Sequence, residues 1–526
     1  FVNQRIMPPG QHVVDVAVDG GSKAGGLYFS RDVNIPTNDW FYVALADFTI
    51  GKRTGDSGIE EVRTGEFDKV WNTGRLAFYL RGKIKGKFLL TAAADTGENE
   101  VKNLFRDLDA RDPRELLRRI DPDKYYPVYG DDSTSVEDAP TNGKFYVRLA
   151  RGESHVMWGN YKTKISGTRF LQVDRGLYGA EMVLRSAGNN ANGEPKFTAT
   201  AFAAKPETLP QRDEFLGTGG SAYFLKRQRI IEGSETLHIE YRDKITGRVI
   251  ERRALVYGED YTIDYLQGVV ILDAPLSSGS IDDGAVREGA LGGYKAYMIA
   301  QYEYRARAGD MENYVYGGRA QTWLGKSIRL GATGIKDSTG LSDQTAYGAD
   351  LRLQRSEDTF IDGEIAYSKG PGFGLSRSTD GGLSLADQET AGREGISAKA
   401  WSLRGQMAFK DLRFLGTAGK IGGYYEQKEA GFSSVTEQVD SDERSWGAEA
   451  EIPLSAAMNL KLSYDDYLNE DGKQHSNAEL EVSYAFDAYW KAAFGIAYSK
   501  LHSPGAIASG KSGYDGTRLD AGLRVD

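Results

Sequence analysis

The feature that most constrains this chain is the spacing of its turns. From Tyr294 onward, runs of alternating side chains are joined by connections that are short, then long, then short again. The tight ones fall near Gly325-Lys326, Ser356-Glu357, Lys410-Asp411, Ile452 to Met458 and Asp487-Ala488. The long ones cover 336–344, 369–397, 428–444, 468–474 and 501–516. A soluble sandwich has no reason to gather long loops at one end and tight turns at the other. Outer-membrane barrels do, with short periplasmic turns and longer extracellular loops. The expected fold is all-β, a large antiparallel transmembrane β-barrel, and the expected location is a bacterial outer membrane.

Composition agrees with that expectation. Charged residues make up 27% of the 526, and the mean hydropathy is -0.48. No run approaches the roughly 18 apolar residues of a spanning helix. A barrel strand needs no such run, because only every second side chain faces lipid. Gly (64) and Tyr (30) outnumber Pro (14), which suits crowded strands, turns and interfacial aromatic belts. The lack of cysteine removes disulfides, thiol catalysis and Cys-based metal sites. A net charge of -10 argues against nucleic acid as a partner. The chain starts at Phe1 without a signal peptide and stops at Asp526 without the terminal aromatic common to such barrels. It therefore reads as a piece of a longer polypeptide, and the barrel need not close within it.

Four regions are expected. Residues 1–40 read as a small N-terminal β segment, and 41–205 as the first barrel strands. Leu76 to Ala94 alternates for about 60 Å at ~3.4 Å per residue, so it either projects beyond the bilayer or folds as a hairpin at Arg81-Gly82. Within 101–120, leucines at helical spacing and a helix-starting Asp112-Pro113 predict a break in the strands; its arginines suit a surface helix. Residues 206–290 carry short strands and tight turns and read as an inserted small β domain, periplasmic or lumenal. Residues 291–526 supply about 12 barrel strands against about 6 to 8 before them, some 18 to 20 in all, too wide for side chains to fill. Tyr294–Arg305 is expected to be the first of the later strands, running outward with one face toward lipid.

Constellations that carry chemistry are poor. The histidines, His12, His155, His238, His475 and His502, have no paired spacing for a metal. Ser154 and His155 are neighbours in a strand and point to opposite faces, so they cannot form a nucleophile–base pair. The run Gly130 to Asp138 offers oxygen ligands but lacks the spacing of an EF-hand loop, and Asp440 to Glu443 reads as a solvated loop tip. No Walker A motif is read in the sequence, and no Gly-rich dinucleotide fingerprint follows a strand into a helix. No enzyme, catalytic residue, cofactor-binding residue, cofactor or metal is expected.

Two stretches resemble known proteins. Gly233 to Leu237, Tyr257-Gly258-Glu259-Asp260-Tyr261-Thr262-Ile263-Asp264-Tyr265 and Gly268-Val269-Val270-Ile271-Leu272 resemble a β module of very large outer-membrane barrels, the SprA-type channels of type 9 secretion among them. Asp121 to Ser133 resembles a run in large proteobacterial cell-surface proteins. The first resemblance, with the barrel's width, implies a channel or assembly platform that exports or displays polypeptide at the cell surface. The alternative is a passive diffusion porin, or a structural envelope barrel without transport. Expected partners are outer-membrane lipid including lipopolysaccharide, and other envelope or secreted proteins through 206–290 or the lumen.

Overall fold

Strands that alternate apolar and polar side chains can solvate one face only if the other meets lipid or a core. In the computed structural model of the chain they do this by forming one antiparallel sheet that closes as a barrel of nineteen strands, one of them two residues long. The fold is thus the large antiparallel transmembrane β-barrel implied by the turn spacing, and the sheet closes within these residues, a point the sequence left open. The structure describes residues 10–18, 27–35, 40–52, 54, 70–106, 145–190, 193–204, 208–243, 247, 249–279, 294–305, 314–339, 343–370, 372, 374–387, 397–411, 418–435, 437–439, 441–487, 490–504 and 513–525. Two compact units divide the chain: residues 1–161 with 178–185, and residues 162–177 with 186–526.

In the first unit, β1 (Gly10–Val18) and β2 (Leu27–Ile35) make a separate two-stranded sheet. Barrel strands follow: β3 (Phe41–Lys52), β4 (Val70–Ile84), β5 (Phe88–Asp95), β6 (Asn99–Glu100), β7 (Phe145–Arg151), β8 (Ser154–Ile165) and β9 (Val173–Arg185), the last two shared with the second unit. The long alternation of 76–94 is a hairpin, but it turns at Lys85-Gly86, both with positive φ (51° and 65°), and not at Arg81-Gly82. Gly82 has another task. A Cβ there would lie 2.4 Å from the ring of Trp40, so the glycine makes room for the indole. Of the expected helix at 101–120, Val101–Asn103 forms one 3-10 turn; residues 107–120 and the polar run 130–138 lie outside the described residues.

In the second unit, β10 (Phe197–Ala204) is followed by the insertion: β11 (Thr208–Leu216), β12 (Ala222–Phe224), β13 (Thr236–Arg242), β14 (Val249–Ala254), β15 (Tyr261–Asp264), β16 (Val269–Leu272) and β17 (Lys295–Arg305). Phe215, Tyr223, Ile230, Leu237, Val270 and Met298 form its core. β17 corrects the sequence reading. It pairs with β11 and β13 and takes no place in the barrel. Both its faces are covered: Met298 and Tyr302 on one, Ile299, Gln301 and Glu303 on the other are all buried. Alternation alone does not separate a lipid-facing strand from one covered by a polar network.

Barrel strands resume with β18 (Val315–Leu324), β19 (Ile328–Asp337), β20 (Gln344–Ser356) and β21 (Thr359–Lys369). After β22 (Gly374–Ser378) and β23 (Ala386–Asp387) come β24 (Ser397–Ala408), β25 (Lys420–Lys428), β26 (Glu443–Pro453) and β27 (Met458–Asn469). The series ends with β28 (Gln474–Ala485), β29 (Lys491–Ser503) and β30 (Tyr514–Val525). Ala204 pairs with Val315, and Val315 with Asp337, at the end of β18 remote from its tight turn at Gly325. The insertion therefore springs from the end that carries the long connections. A periplasmic insertion would need Tyr294–Arg305 to cross the membrane outward from the tight-turn end, and β17 lies in the insertion's own sheet. One long connection adds to the insertion: β22 pairs in parallel with β11 and extends its sheet to six strands.

Candidate channel interior

On β18 to β21 the outward parity carries Leu324, Leu330, Tyr347, Leu351, Ile361 and Ile365, all exposed. The opposite parity faces inward and is charged. Arg319 donates to both oxygens of Asp350 (Nη1–Oδ1 2.5 Å, Nη2–Oδ2 2.9 Å) and to Thr333 (2.9 Å). Arg352 donates to Asp362 at 3.1 Å. A charge removed from bulk water needs such a partner, and the bidentate form is the strongest available. Gly331 makes the first pair fit, since a Cβ there would stand 2.4 Å from Asp350 Oδ1.

Between β8 and β9, residues 166–172 leave the wall as a strap that runs along these inward faces. Arg329 Nη2 meets the Gly167 carbonyl at 3.4 Å. Farther on, the backbone N–H groups of Arg169 and Phe170 both donate to the Glu364 carboxylate, Phe170 at 2.9 Å. Glu364 is the middle residue of β21, so the strap is held at mid-depth. Phe170 and Leu171, 0% and 1% exposed, fill a recess lined by Ala346, Ala366, Ala398 and Ala400, and Phe432 closes it edge-on at 5.7 Å. Small residues on the inward parity are what leave the recess open. Gly348 is among them, since a Cβ there would lie 2.9 Å from Leu171 Cδ1.

Arg169 clamps the strap. Its guanidinium donates to Glu426 (Nε–Oε2 3.1 Å) on β25 and to Glu437 (Nη1–Oε1 2.5 Å) in the following connection. Lys428 Nζ stands 3.4 Å from Glu426 and 3.8 Å from Glu437. Burial alone would push the Glu437 carboxyl up, but Arg169 and Lys428 outweigh it and hold it at about 2; Glu437 in turn raises Arg169 above its usual range. A carboxylate depressed in the folded state stabilises above its ordinary range and loses that contribution as pH falls through the folded value. The Glu437 arm of the clamp should therefore hold from neutral pH down through the ordinary carboxylate range and be lost only below it. A titration of single-channel current against pH checks this: a strap-dependent change already complete at mildly acid pH would contradict it.

The histidines are spread through the molecule. His155 contacts Glu181 (3.2 Å), His238 contacts Glu240 (3.2 Å), and His502 contacts Asp515 (2.7 Å). Ser154 Oγ donates to the Arg185 carbonyl (3.2 Å), away from His155. Among the described residues no group of three or more His, Asp or Glu could hold a metal. The acidic tip is tied down in part, with Asp442 accepting from the Ala430 N–H at 2.7 Å; Asp440 lies outside the described residues. The spelling of a Walker A loop does occur, at Gly505-Ala506-Ile507-Ala508-Ser509-Gly510-Lys511-Ser512, and sequence reading passed over it. It joins two antiparallel barrel strands, β29 and β30, whereas a phosphate-cradling loop opens a helix; residues 505–512 lie outside the described residues. Sequence reading also missed the strap, because the alanines that make its recess sit on three separate strands.

No family model matches the chain, and no curated protein matches it. The solved structures it is similar to include three Pseudomonas aeruginosa proteins. OpdQ is 11% identical with a TM-score of 0.29, over 94% of this chain and 99% of that one. OpdK crystallised with vanillate is 10% identical with a TM-score of 0.29, over 93% and 98%. The outer membrane protein OprD is 9% identical with a TM-score of 0.29, over 93% of each. With TM-scores this low, the reading of the channel rests on this chain's own strands.

Proposed function

We propose that the protein is a channel of the bacterial outer membrane through which small hydrophilic solutes diffuse, its bore narrowed at mid-depth by the strap 166–172. The observation that carries this reading is the strap itself, fixed at the level of Glu364 on a wall whose inward faces are charged. Outward apolar faces set the barrel in a membrane, and the inward charges call for water, since a barrel this wide is not filled by its own side chains. Sequence reading put polypeptide export first and passive diffusion second. The strap supports the second: an unfolded chain would need that depth clear, and a small solute does not. The resemblance of 233–272 to secretion-channel modules has no family match behind it, and the insertion at the long-connection end is read as an extracellular or lumenal vestibule. No enzymatic role is proposed.

The test is conductance of the full chain in planar bilayers, before and after replacing Thr168–Leu171 by Gly-Ser-Gly-Ser. Steady, salt-dependent steps that grow on replacement are expected, because pore cross-section limits flow. Silence in both forms would refute the channel. Block of the intact channel by added unfolded peptide, relieved only as the peptide passes through, would favour export.

A further inference from the structure

The outward faces carry a second repeated pattern. β21 places Lys369 two residues beyond Tyr367, and β24 places Lys399 two beyond Trp401. β26 places Arg444 two beyond Trp446, and β29 places Lys500 two beyond Tyr498. In all four the step runs toward the end with the long connections. A step of two keeps both side chains on one face, about 7 Å apart.

The aromatic members lie in an outward band. Tyr347 stacks on Tyr367 (5.5 Å), Trp401 on Tyr425 (4.7 Å), and Trp446 leans on Tyr464 (4.9 Å). Such bands mark the membrane–water interface, so one step farther out is headgroup depth. Lys369, Lys399, Arg444 and Lys500 are all exposed there. Lys336 joins them: it pairs with Thr345, which pairs with Lys369, setting the two lysines in one cross-strand row about 10 Å apart. Two of these cations also meet acidic residues, Lys399 with Glu429 (3.1 Å) and Lys336 with Asp343 (3.2 Å). Among the described residues the opposite end lacks the repeat. Its outward termini include Leu454, Phe486 and Trp490, all exposed and apolar, beside the separate cations Lys326 and Arg355.

We infer that this belt binds the phosphate groups of an anionic glycolipid in the leaflet at the long-connection end. The inference rests on the outer-membrane reading above, and the chemistry is charge complementarity. Ammonium and guanidinium groups on separate strands meet phosphates at headgroup depth, while the aromatic band beneath them meets the glycolipid's carbonyl and upper acyl region. Lys–phosphate contacts tolerate the spread of positions, because each ammonium is a point charge on a flexible stem.

The experiment is native mass spectrometry of the full chain in detergent with bisphosphorylated lipid A added. It is compared with the variant Lys369→Gln/Lys399→Gln/Arg444→Gln/Lys500→Gln and with the same four positions exchanged between Lys and Arg. We expect the Gln variant to retain the lipid at least about ten-fold more weakly, the charge-conserving variant to match wild type, and dephosphorylated lipid A to bind wild type poorly. Equal retention by wild type and the Gln variant would overturn the inference, as would equal retention of the dephosphorylated lipid. Displacement of lipid A by equimolar inorganic phosphate would also overturn it, pointing to a free-anion site. Conductance of the same samples separates this result from the channel reading: a variant that conducts normally but releases lipid A supports the belt, and silence of wild type refutes the channel alone.

Discussion

Phe170→Ala is expected to free the strap from the wall while leaving the barrel intact. The ring is fully buried in the alanine-lined recess against Phe432. Removing it sacrifices about 3–5 kcal/mol of transfer and packing energy. The strap is a short segment held by that recess, the Arg169 clamp and two N–H bonds to Glu364. A loss of this size falls on a local opening equilibrium and not on the ladders of the surrounding strands. Two readouts follow: hydrogen exchange at the Arg169 and Phe170 amides should accelerate strongly, and open-channel current should become larger and noisier. Phe170→Leu, which keeps most of the volume, should do much less. Wild-type exchange and wild-type current in the Ala variant would show that the clamp alone holds the strap.

Parts of this architecture were readable from the chain and parts were not, for physical reasons. The alternation of Ala478, Leu480, Val482 and Tyr484 against Glu479, Glu481 and Ser483 admits only a strand with one wet and one apolar face, and β28 is one. The turn rhythm located the tight ends near Gly325 and Asp487 because such turns are short-range. β17 misled because its inward neighbours are not local. Glu303 and Gln301 look like water-facing residues until Arg175 and the 433–435 segment are brought to them across more than a hundred residues. The strap was invisible for a related reason. Phe170-Leu171 reads as loop, and its recess is assembled from single alanines on β20, β21 and β24 that carry no joint signal along the sequence. The same holds for the hairpin at Lys85-Gly86, where a mid-strand glycine serving Trp40 was the more conspicuous break.

The insertion's last strand is tied to the wall by ions, and Arg175→Met should show how tightly. Arg175 on β9 donates to Glu303 of β17 (Nε–Oε1 2.6 Å) and to Asp337 at the end of β19 (Nη1–Oδ2 2.6 Å). The three side chains are 2–4% exposed, and Asp337 also accepts from the Thr339 N–H at 2.9 Å. Taking away the guanidinium strands two carboxylates where water cannot reach them, a loss of about 3–5 kcal/mol by the general behaviour of broken buried pairs. Burial already pushes the Glu303 carboxyl up, against the pull of Arg175. A carboxyl whose folded value is raised contributes stability below its ordinary range and loses it as pH rises through the folded value. The deficit of Arg175→Met should therefore be largest at neutral and alkaline pH and shrink on acidification, as a proton discharges Glu303. Urea unfolding of the reconstituted chain at several pH values, with protease sensitivity of residues 208–305 as the local readout, measures both. The triple variant Arg175→Met/Glu303→Gln/Asp337→Asn should recover most of the loss, since neutral groups of similar volume carry no charge to desolvate. A single variant as stable as wild type at every pH would mean that the insertion is held by its apolar core and β22 alone, with the ions as passengers.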